Sequence, residues 1–459
     1  MDKRDMMANH SIGSLLWKFS WPAIVGMLCA ALYNIVDRIF VGRGVGALAI
    51  AATTVAFPIQ TILLAVSVLV GVGATALISI RLGEQKIDEA EKVSANAAVM
   101  LFILPICITI IYLIFPEPIL RAFGASDEVM PYARDFVHII MYGSAFGSLS
   151  MGMNNFIRAE GNPIWSMSTQ VLGMFINGVL NYFFIFKLGL GIKGSALATV
   201  LGQLFSALWV LSYFFTGRSL VKIRLKNFKL QLPVLKSIMA IGFAPFALQM
   251  ASCVQQIILN KTLSFYGGDM ALSAVGILLS IVTLLFMPIL GICQGAQPLI
   301  GFNYGARQFD RVKATFKRAV LASSCVAVTG FLAIHIWPDQ IASIFTGGDS
   351  ALTGLTARAM VVYFAMVWVI GIQIPGSQYF QATGKALRAA ILSLSRQVLL
   401  FIPLLLILPH FWGIDGVWRS APIADGLSVL ITSLFVYYEI KYLPESLPLT
   451  RLREQPEGT

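Results

Sequence analysis

Charge is scarce in this 459-residue chain: Asp, Glu, Lys and Arg together make up 12% of it, against 57% hydrophobic residues and a mean hydropathy of +0.79. That balance excludes an ordinary water-soluble domain, in which about a quarter of the residues are charged. Cysteine is sparse too. Cys29, Cys107, Cys253, Cys293 and Cys325 all fall inside apolar runs without metal-ligand spacing, so a disulfide framework and a zinc site are not expected. The four histidines, His10, His138, His335 and His410, are scattered. The Gly-rich stretch Gly71–Gly73 lacks the lysine and hydroxyl residue of a phosphate-binding loop, which argues against a nucleotide-driven pump. Paired acids or a nucleophile with its base are likewise missing from the apolar runs, so an enzyme is not expected.

What the chain has is long apolar segments. Val93–Phe115 and Val320–Trp337 are each near the roughly 20 residues that a bilayer core demands, and the length accommodates about twelve such spans with short loops. Leu101–Ile114 is apolar throughout apart from Thr109, whereas a membrane β-barrel strand alternates, so the spans read as helices. The net charge of +11 sits in the connections and orients the chain; it does not point to nucleic acid. Residues Gly217–Lys236 carry Arg218, Lys222, Arg224, Lys226, Lys229 and Lys236 with no acid. A second basic segment holds Arg307, Arg311, Lys313, Lys317 and Arg318 against Asp310 alone. These connections are expected in the cytoplasm, with Glu117–Asp135 and Asp339–Arg358 outside and both termini inside. Lys3 and Arg4 precede a run too long for a cleaved signal, so that run is expected to remain as the first helix.

The chain also resembles itself at an offset of about 223. Trp21-Pro22 and the run ending at Asp37-Arg38 match Ala244-Pro245 and the run ending at Asn260-Lys261. Gly73-Ala74 matches Gly295-Ala296, the Arg158–Gly161 stretch matches Gln381–Gly384, and Gly191–Gly194 matches Gly413–Gly416. Six is an even number of spans, so the repeats enter the membrane in the same sense and are related by a pseudo-twofold axis along its normal. The expected fold is an all-α membrane protein of 12 transmembrane helices in two pseudo-symmetric six-helix bundles around a central cleft. The boundaries read as 1–216 for the first lobe, 217–236 for the basic linker, 237–442 for the second lobe and 443–459 for a cytoplasmic tail.

Ionisable residues inside spans are costly and mark function. Asp37 lies deep in the run Trp21–Val41, with Tyr33 and Asn34 about one turn earlier. A carboxylate there can carry a proton or ligate Na⁺; the plainer reading is an ion pair with Arg38 or a position near the outer surface. Asn177 and Asn181 are four residues apart and share a helix face. Thr199 is a further oxygen donor, although a lone threonine in a span more often bonds its own backbone. In the second half Gln255, Gln256 and Asn260 occupy the positions of Tyr33 to Asp37, amides in place of an acid. They read equally as lining of the cleft or as bonds between helices. Asp425, flanked by Pro422 and Gly426, is a secondary candidate at a local break in the last span. Among the methionines, Met27, Met174, Met250 and Met287 are expected near the cleft, where thioethers adapt to varied guests.

The Pro22 and Tyr33-Asn34-Ile35-Val36-Asp37 stretch, the Arg158–Pro163 loop and the Asn177–Phe186 stretch followed by Gly191–Thr199 resemble the multidrug and toxic compound extrusion (MATE) transporters. The resemblance covers nearly the whole chain, and the second half is similar to the bacterial branch containing DinF- and MepA-like exporters. It implies export of amphipathic, often cationic drugs through a bacterial inner membrane in exchange for H⁺ or Na⁺. It also implies that Asp37, Asn177, Asn181 and Thr199, with Tyr33, surround the coupling cation. Asp37 and Asn177 would ligate it if it is Na⁺. Many members of the family carry an acid where Asn181 stands, which leaves one acid and suits one ion per cycle. Pro22 and Gly26 would let the first helix bend. The partners expected are drug-like cations and the lipid bilayer, the cofactor none beyond the coupling ion, and the state a monomer. The rival reading is a flippase or exporter of a lipid-linked or endogenous substrate, for which Lys187, Lys261 and Arg396 look too close to span ends to charge a cavity.

Overall fold

A computed structural model of the protein describes residues 6–7, 10–45, 47–217, 219–222, 224–346 and 350–444. Lys3, Arg4, Arg218 and all of the tail beyond 444 lie outside the described residues, as do the side chains of Tyr33, Asn34, Arg38 and Asn260.

Every regular element of the described chain is a helix. Six spans come from the first half: α1 (Ile12–Gly44), α2 (Ala47–Gly83), α3 (Ile87–Ile114), α4 (Met130–Ala159), α5 (Pro163–Tyr182) and α6 (Gly191–Phe215). The helical segment Leu232–Gly305 supplies two more, α7 (Leu232–Gly267) and α8 (Ala274–Gly305), followed by α9 (Phe309–Ile336). The tenth, α10, is a bent pair, Ser350–Tyr363 and Val367–Ala382, turned by 46° at the break. The last two are α11 (Ala386–Trp412) and α12 (Ile414–Lys441). Among the described residues, eleven helices are long and apolar enough to cross a membrane, or 12 with the bent pair counted as one span.

The described residues divide into two compact units, one of 6–7 with 25–246 and one of 10–24 with 247–444. The division cuts α1 two residues after Pro22 and α7 one residue after Pro245, the two matched prolines of the repeat. Glycine explains the exchange. In the first unit a Cβ on Gly73 would stand 2.2 Å from the carbonyl oxygen of Ile238, and one on Gly242 would stand 1.7 Å from that of Leu69. The backbones of α2 and the start of α7 therefore touch, which only glycine permits. The second unit repeats the device. A Cβ on Gly295 would lie 2.7 Å from the Ser20 backbone and one on Gly291 2.8 Å from that of Ile24, so α8 grips the start of α1.

Within the first unit α4 packs against α2, α3 and α6. Its close approaches use Gly152, whose Cβ would fall 2.4 Å from Leu101, and Gly143, whose Cβ would fall 2.5 Å from Val200. Buried Val41, Ala52, Ala56, Ile59, Phe136, Ile140 and Ala196 form one apolar core there, and Leu259, Leu278, Ile289, Phe364, Leu405 and Trp418 belong to another in the second unit.

The basic connection after α6 is fastened to the first unit rather than hanging from it. The fully buried Glu160 carboxylate accepts from the Tyr213 hydroxyl at 3.0 Å, the Ser219 hydroxyl at 2.7 Å and the Leu220 N–H at 2.9 Å. Arg224 pairs with buried Glu91 at 3.1 Å, and Asn96 donates to the Asn227 carbonyl at 3.3 Å while accepting from the Gln231 N–H at 2.8 Å.

Candidate cation site

The turn that aims α5 is written in Gly161-Asn162-Pro163. Gly161 adopts φ +85°, a left-handed value suited to ending α4. The Asn162 side chain then accepts from the Trp165 N–H and Pro163 opens the next helix with its fixed φ. From that start, Asn177 and Asn181 fall one above the other, 2% and 0% exposed. Gly202 in α6 leaves room for them, since a Cβ there would stand 3.2 Å from that of Asn177.

Beyond Tyr182 the helix widens into a π turn, Phe183–Lys187. Such turns shift the phase of the side chains that follow and recur at functional sites. Here the turn lays Phe186 against Phe40, with ring centroids 5.9 Å apart, and Ile185 against Gly44, where a Cβ would lie 2.2 Å away. The end of α1 is thereby seated on α5 and Asp37 is brought within reach of Asn181.

A directed set of hydrogen bonds results. The Asn181 amide donates to Asp37 Oδ1 at 2.9 Å and to Asn177 Oδ1 at 2.9 Å, and the Asn177 amide donates to Thr199 Oγ1 at 3.3 Å. Ser195, one turn before Thr199 on α6, donates to the same Asp37 oxygen at 3.0 Å. The carboxylate is half-buried and oriented by amide and hydroxyl donors. Asn181 Oδ1 is buried and accepts no hydrogen bond among the described residues. A carboxylate, an unsatisfied amide oxygen and two hydroxyls form an all-oxygen donor set that fits a hard cation, and a protonated carboxyl fits the same place. Among the described residues, no three His, Cys, Asp or Glu side chains converge as a metal centre.

Four of the five residues expected around the cation, Asp37, Asn177, Asn181 and Thr199, meet in this network. The fifth, Tyr33, has its side chain outside the described residues. Ser195 is an addition. Its signal in the sequence is its spacing of four from Thr199, the same spacing that picks out the asparagine pair. The cleft candidates divide between the units, with half-buried Met27 and Met174 in the first and half-buried Met250, Gln255, Gln256 and Met287 in the second. The side chains of Asn34 and Asn260 are outside the described residues.

In the second unit the structure departs from two expectations. Arg396 is not near a span end: it lies in a π segment, Ser395–Phe401, inside α11. Asp425 does not mark a break, because α12 runs unbroken past Pro422 and Gly426 and buries the carboxylate to 4% exposure. The two residues meet, Arg396 Nε donating to Asp425 Oδ1 at 2.5 Å. Hydropathy misplaces the arginine because a partner 29 residues away neutralises it.

The MatE family model matches residues 22–183 and again 245–407, so the duplicated halves each carry one copy. The multidrug export protein MepA of Staphylococcus aureus strain N315 is 27% identical over 419 residues, 91% of this chain and 92% of its own. MepA of Staphylococcus saprophyticus is 26% identical over 429 residues, 94% of each chain. Among solved structures, an outward-facing multidrug resistance MATE transporter of the MOP superfamily superposes with a TM-score of 0.89 at 25% identity, covering 95% of this chain and 98% of its own. A MOP superfamily transporter from Pyrococcus furiosus, described for the reverse polarity of its binding pocket, has the same score and identity over 96% and 98%. With both repeats matched, over more than half its length, the chain belongs to the MatE family, that of the multidrug and toxic compound extrusion transporters.

Proposed function

We propose that this protein exports amphipathic, often cationic organic compounds across a bacterial cell membrane in exchange for H⁺ or Na⁺ taken up at Asp37. The observation that carries the reading is the Asp37–Asn181–Asn177–Thr199 network, an oxygen-rich site around one carboxylate. Relatives named as multidrug export proteins support the substrate class, as do MATE structures solved in complex with the compounds MaD3S and MaL6.

In this mechanism the coupling ion enters from outside and neutralises Asp37. The carboxylate then no longer holds Asn181 and Ser195 as before, the end of α1 repacks on α5, and drug affinity falls so that release follows outward. Alternating access then returns the ion to the inside. Pro22 and Gly26 provide the flexibility, since proline removes one helical hydrogen bond and glycine tolerates the resulting change. The basic connections face the cytoplasm, both termini lie there, and the working unit is a monomer.

Asp37→Asn keeps an acceptor for Asn181 and Ser195 while removing the charge. Ethidium export into proteoliposome-imposed pH or Na⁺ gradients should be lost in this variant, with the purified protein remaining monodisperse. Normal gradient-driven export by the variant would overturn the reading; export by the wild type under one gradient alone names the ion.

A further inference from the structure

At one end of the second unit, four spans close around a cavity of about 500 Å³ that the transport reading does not use. It is lined by Tyr304 at the end of α8, Phe309 at the start of α9, Lys385 and Arg388 at the start of α11, and Phe435, Tyr438 and Glu439 near the end of α12. Its size is that of a small-molecule site. Its position at the ends of helices fits headgroup depth, where aromatic belts sit. The same end carries the basic Arg307–Arg318 segment.

Among the described residues, the charges lining the cavity do not balance. The Glu439 carboxylate is 5% exposed and receives both Lys385, on Oε1, and Arg388, on Oε2. One buried acid therefore faces two cations, each of which carries further N–H donors beyond the one on Glu439, with Arg388 also lying over the Phe380 ring at 6.0 Å. Lys385 also stands over the Tyr304 ring at 5.7 Å, and Lys441 stands over the rings of Tyr437 and Tyr442 at 5.8 Å each. The phenols of Tyr438 and Tyr442 are exposed beside them. The result is a cavity with surplus positive charge, hydroxyl donors at its rim and apolar walls from Phe309, Phe435 and Leu443.

We propose that this cavity binds the phosphate group of an anionic phospholipid such as phosphatidylglycerol. The spare donors of Lys385 and Arg388 take the non-bridging oxygens, as charge-assisted hydrogen bonds to phosphate favour. The aromatic walls cover the glycerol and the upper acyl chain. Basic pockets between spans on the cytoplasmic side are suited to such headgroups, and zwitterionic choline, bringing its own cation, is disfavoured there. Glu439 competes with the phosphate for the same two cations, so the site carries an internal rival.

That rivalry gives a test with opposite signs. Lipid binding to purified full-length protein in detergent is measured by native mass spectrometry and by thermal shift, with phosphatidylglycerol, phosphatidylcholine and inorganic phosphate as probes. The wild type should favour phosphatidylglycerol over phosphatidylcholine by about tenfold. Arg388→Gln should weaken phosphatidylglycerol by about tenfold, the scale of one lost hydrogen bond between charged groups. Glu439→Gln should tighten it several-fold, an outcome that a merely structural ion cluster does not produce. Equal binding of the two lipids, or no change in either variant, overturns the proposal. Displacement of the lipid by submillimolar inorganic phosphate overturns the lipid as the source and keeps the phosphate site.

Discussion

The two units place acids at different depths of the repeat and treat them differently. In the first, Asp37 is met by an amide and a hydroxyl from α5 and α6. In the second, Asp425 on α12 is met by the guanidinium of Arg396 on α11, which also lies over the Phe286 ring at 5.9 Å. In the repeat register Arg396 and Asp425 fall at Gly173 and Gln203, one turn away from Asn177 and Thr199 along the matching helices. Duplicated helices thus carry neutral donors at one level in one unit and a salt bridge a turn away in the other. A carboxylate held by neutral donors can accept a cation in exchange. A carboxylate already neutralised by a half-buried arginine is far less free to do so, and its removal from water is tolerable only because the partner is there. The comparison sets the ion exchange proposed for the first unit against structural cohesion in the second.

Breaking the salt bridge should have the largest effect on stability. Arg396→Leu strands Asp425 in an apolar interior and should cost about 3–5 kcal/mol, read as a fall in melting temperature and in monodisperse yield. Arg396→Leu with Asp425→Leu should recover most of that loss and retain gradient-driven export. Export lost in a stable double variant would move ion coupling into the second unit. Next in size is Asn181→Ala, which removes the donor shared by Asp37 and Asn177. A hydrogen bond to a charged group is worth about 1.5–3 kcal/mol, so ethidium export should fall at least about tenfold with little change in melting temperature. The smallest effect belongs to Ser195→Ala. It takes one hydroxyl donor from the same half-buried carboxylate, where the Asn181 change removes bonds to both Asp37 and Asn177, so the loss sits at the low end of that range and export should fall by no more than about tenfold. An Asn181 variant milder than the Ser195 variant would reverse the ranking of the two donors.

Much of this was legible in the residues because a bilayer imposes length and apolarity on every span, and the duplicated anchors fixed how the spans repeat. The asparagine pair was legible for a similar reason: spacing of four puts two amides on one face whatever surrounds them. The pairing of Arg396 with Asp425 was not, since a charge embedded in an apolar run looks like a span end unless its partner is known. The 46° bend of α10 was also hidden. Its break, Phe364–Met366, contains neither proline nor glycine, so tertiary packing rather than local chemistry sets it. The π turns likewise leave no mark, because the extra residue they accommodate matches no residue preference.

The glycine contacts of α2 with α7 and of α8 with α1 have a consequence for synthesis. Residues 10–24 are made among the first, yet the surface that grips them, Gly291 and Gly295, is made more than 250 residues later. The opening of α1 therefore lacks its glycine partners until α8 has been made. A first half released alone would leave that opening without them and would lack the start of α7 that α2 is shaped to receive. Each unit is therefore completed only when a helix beginning from the other half of the sequence is in place.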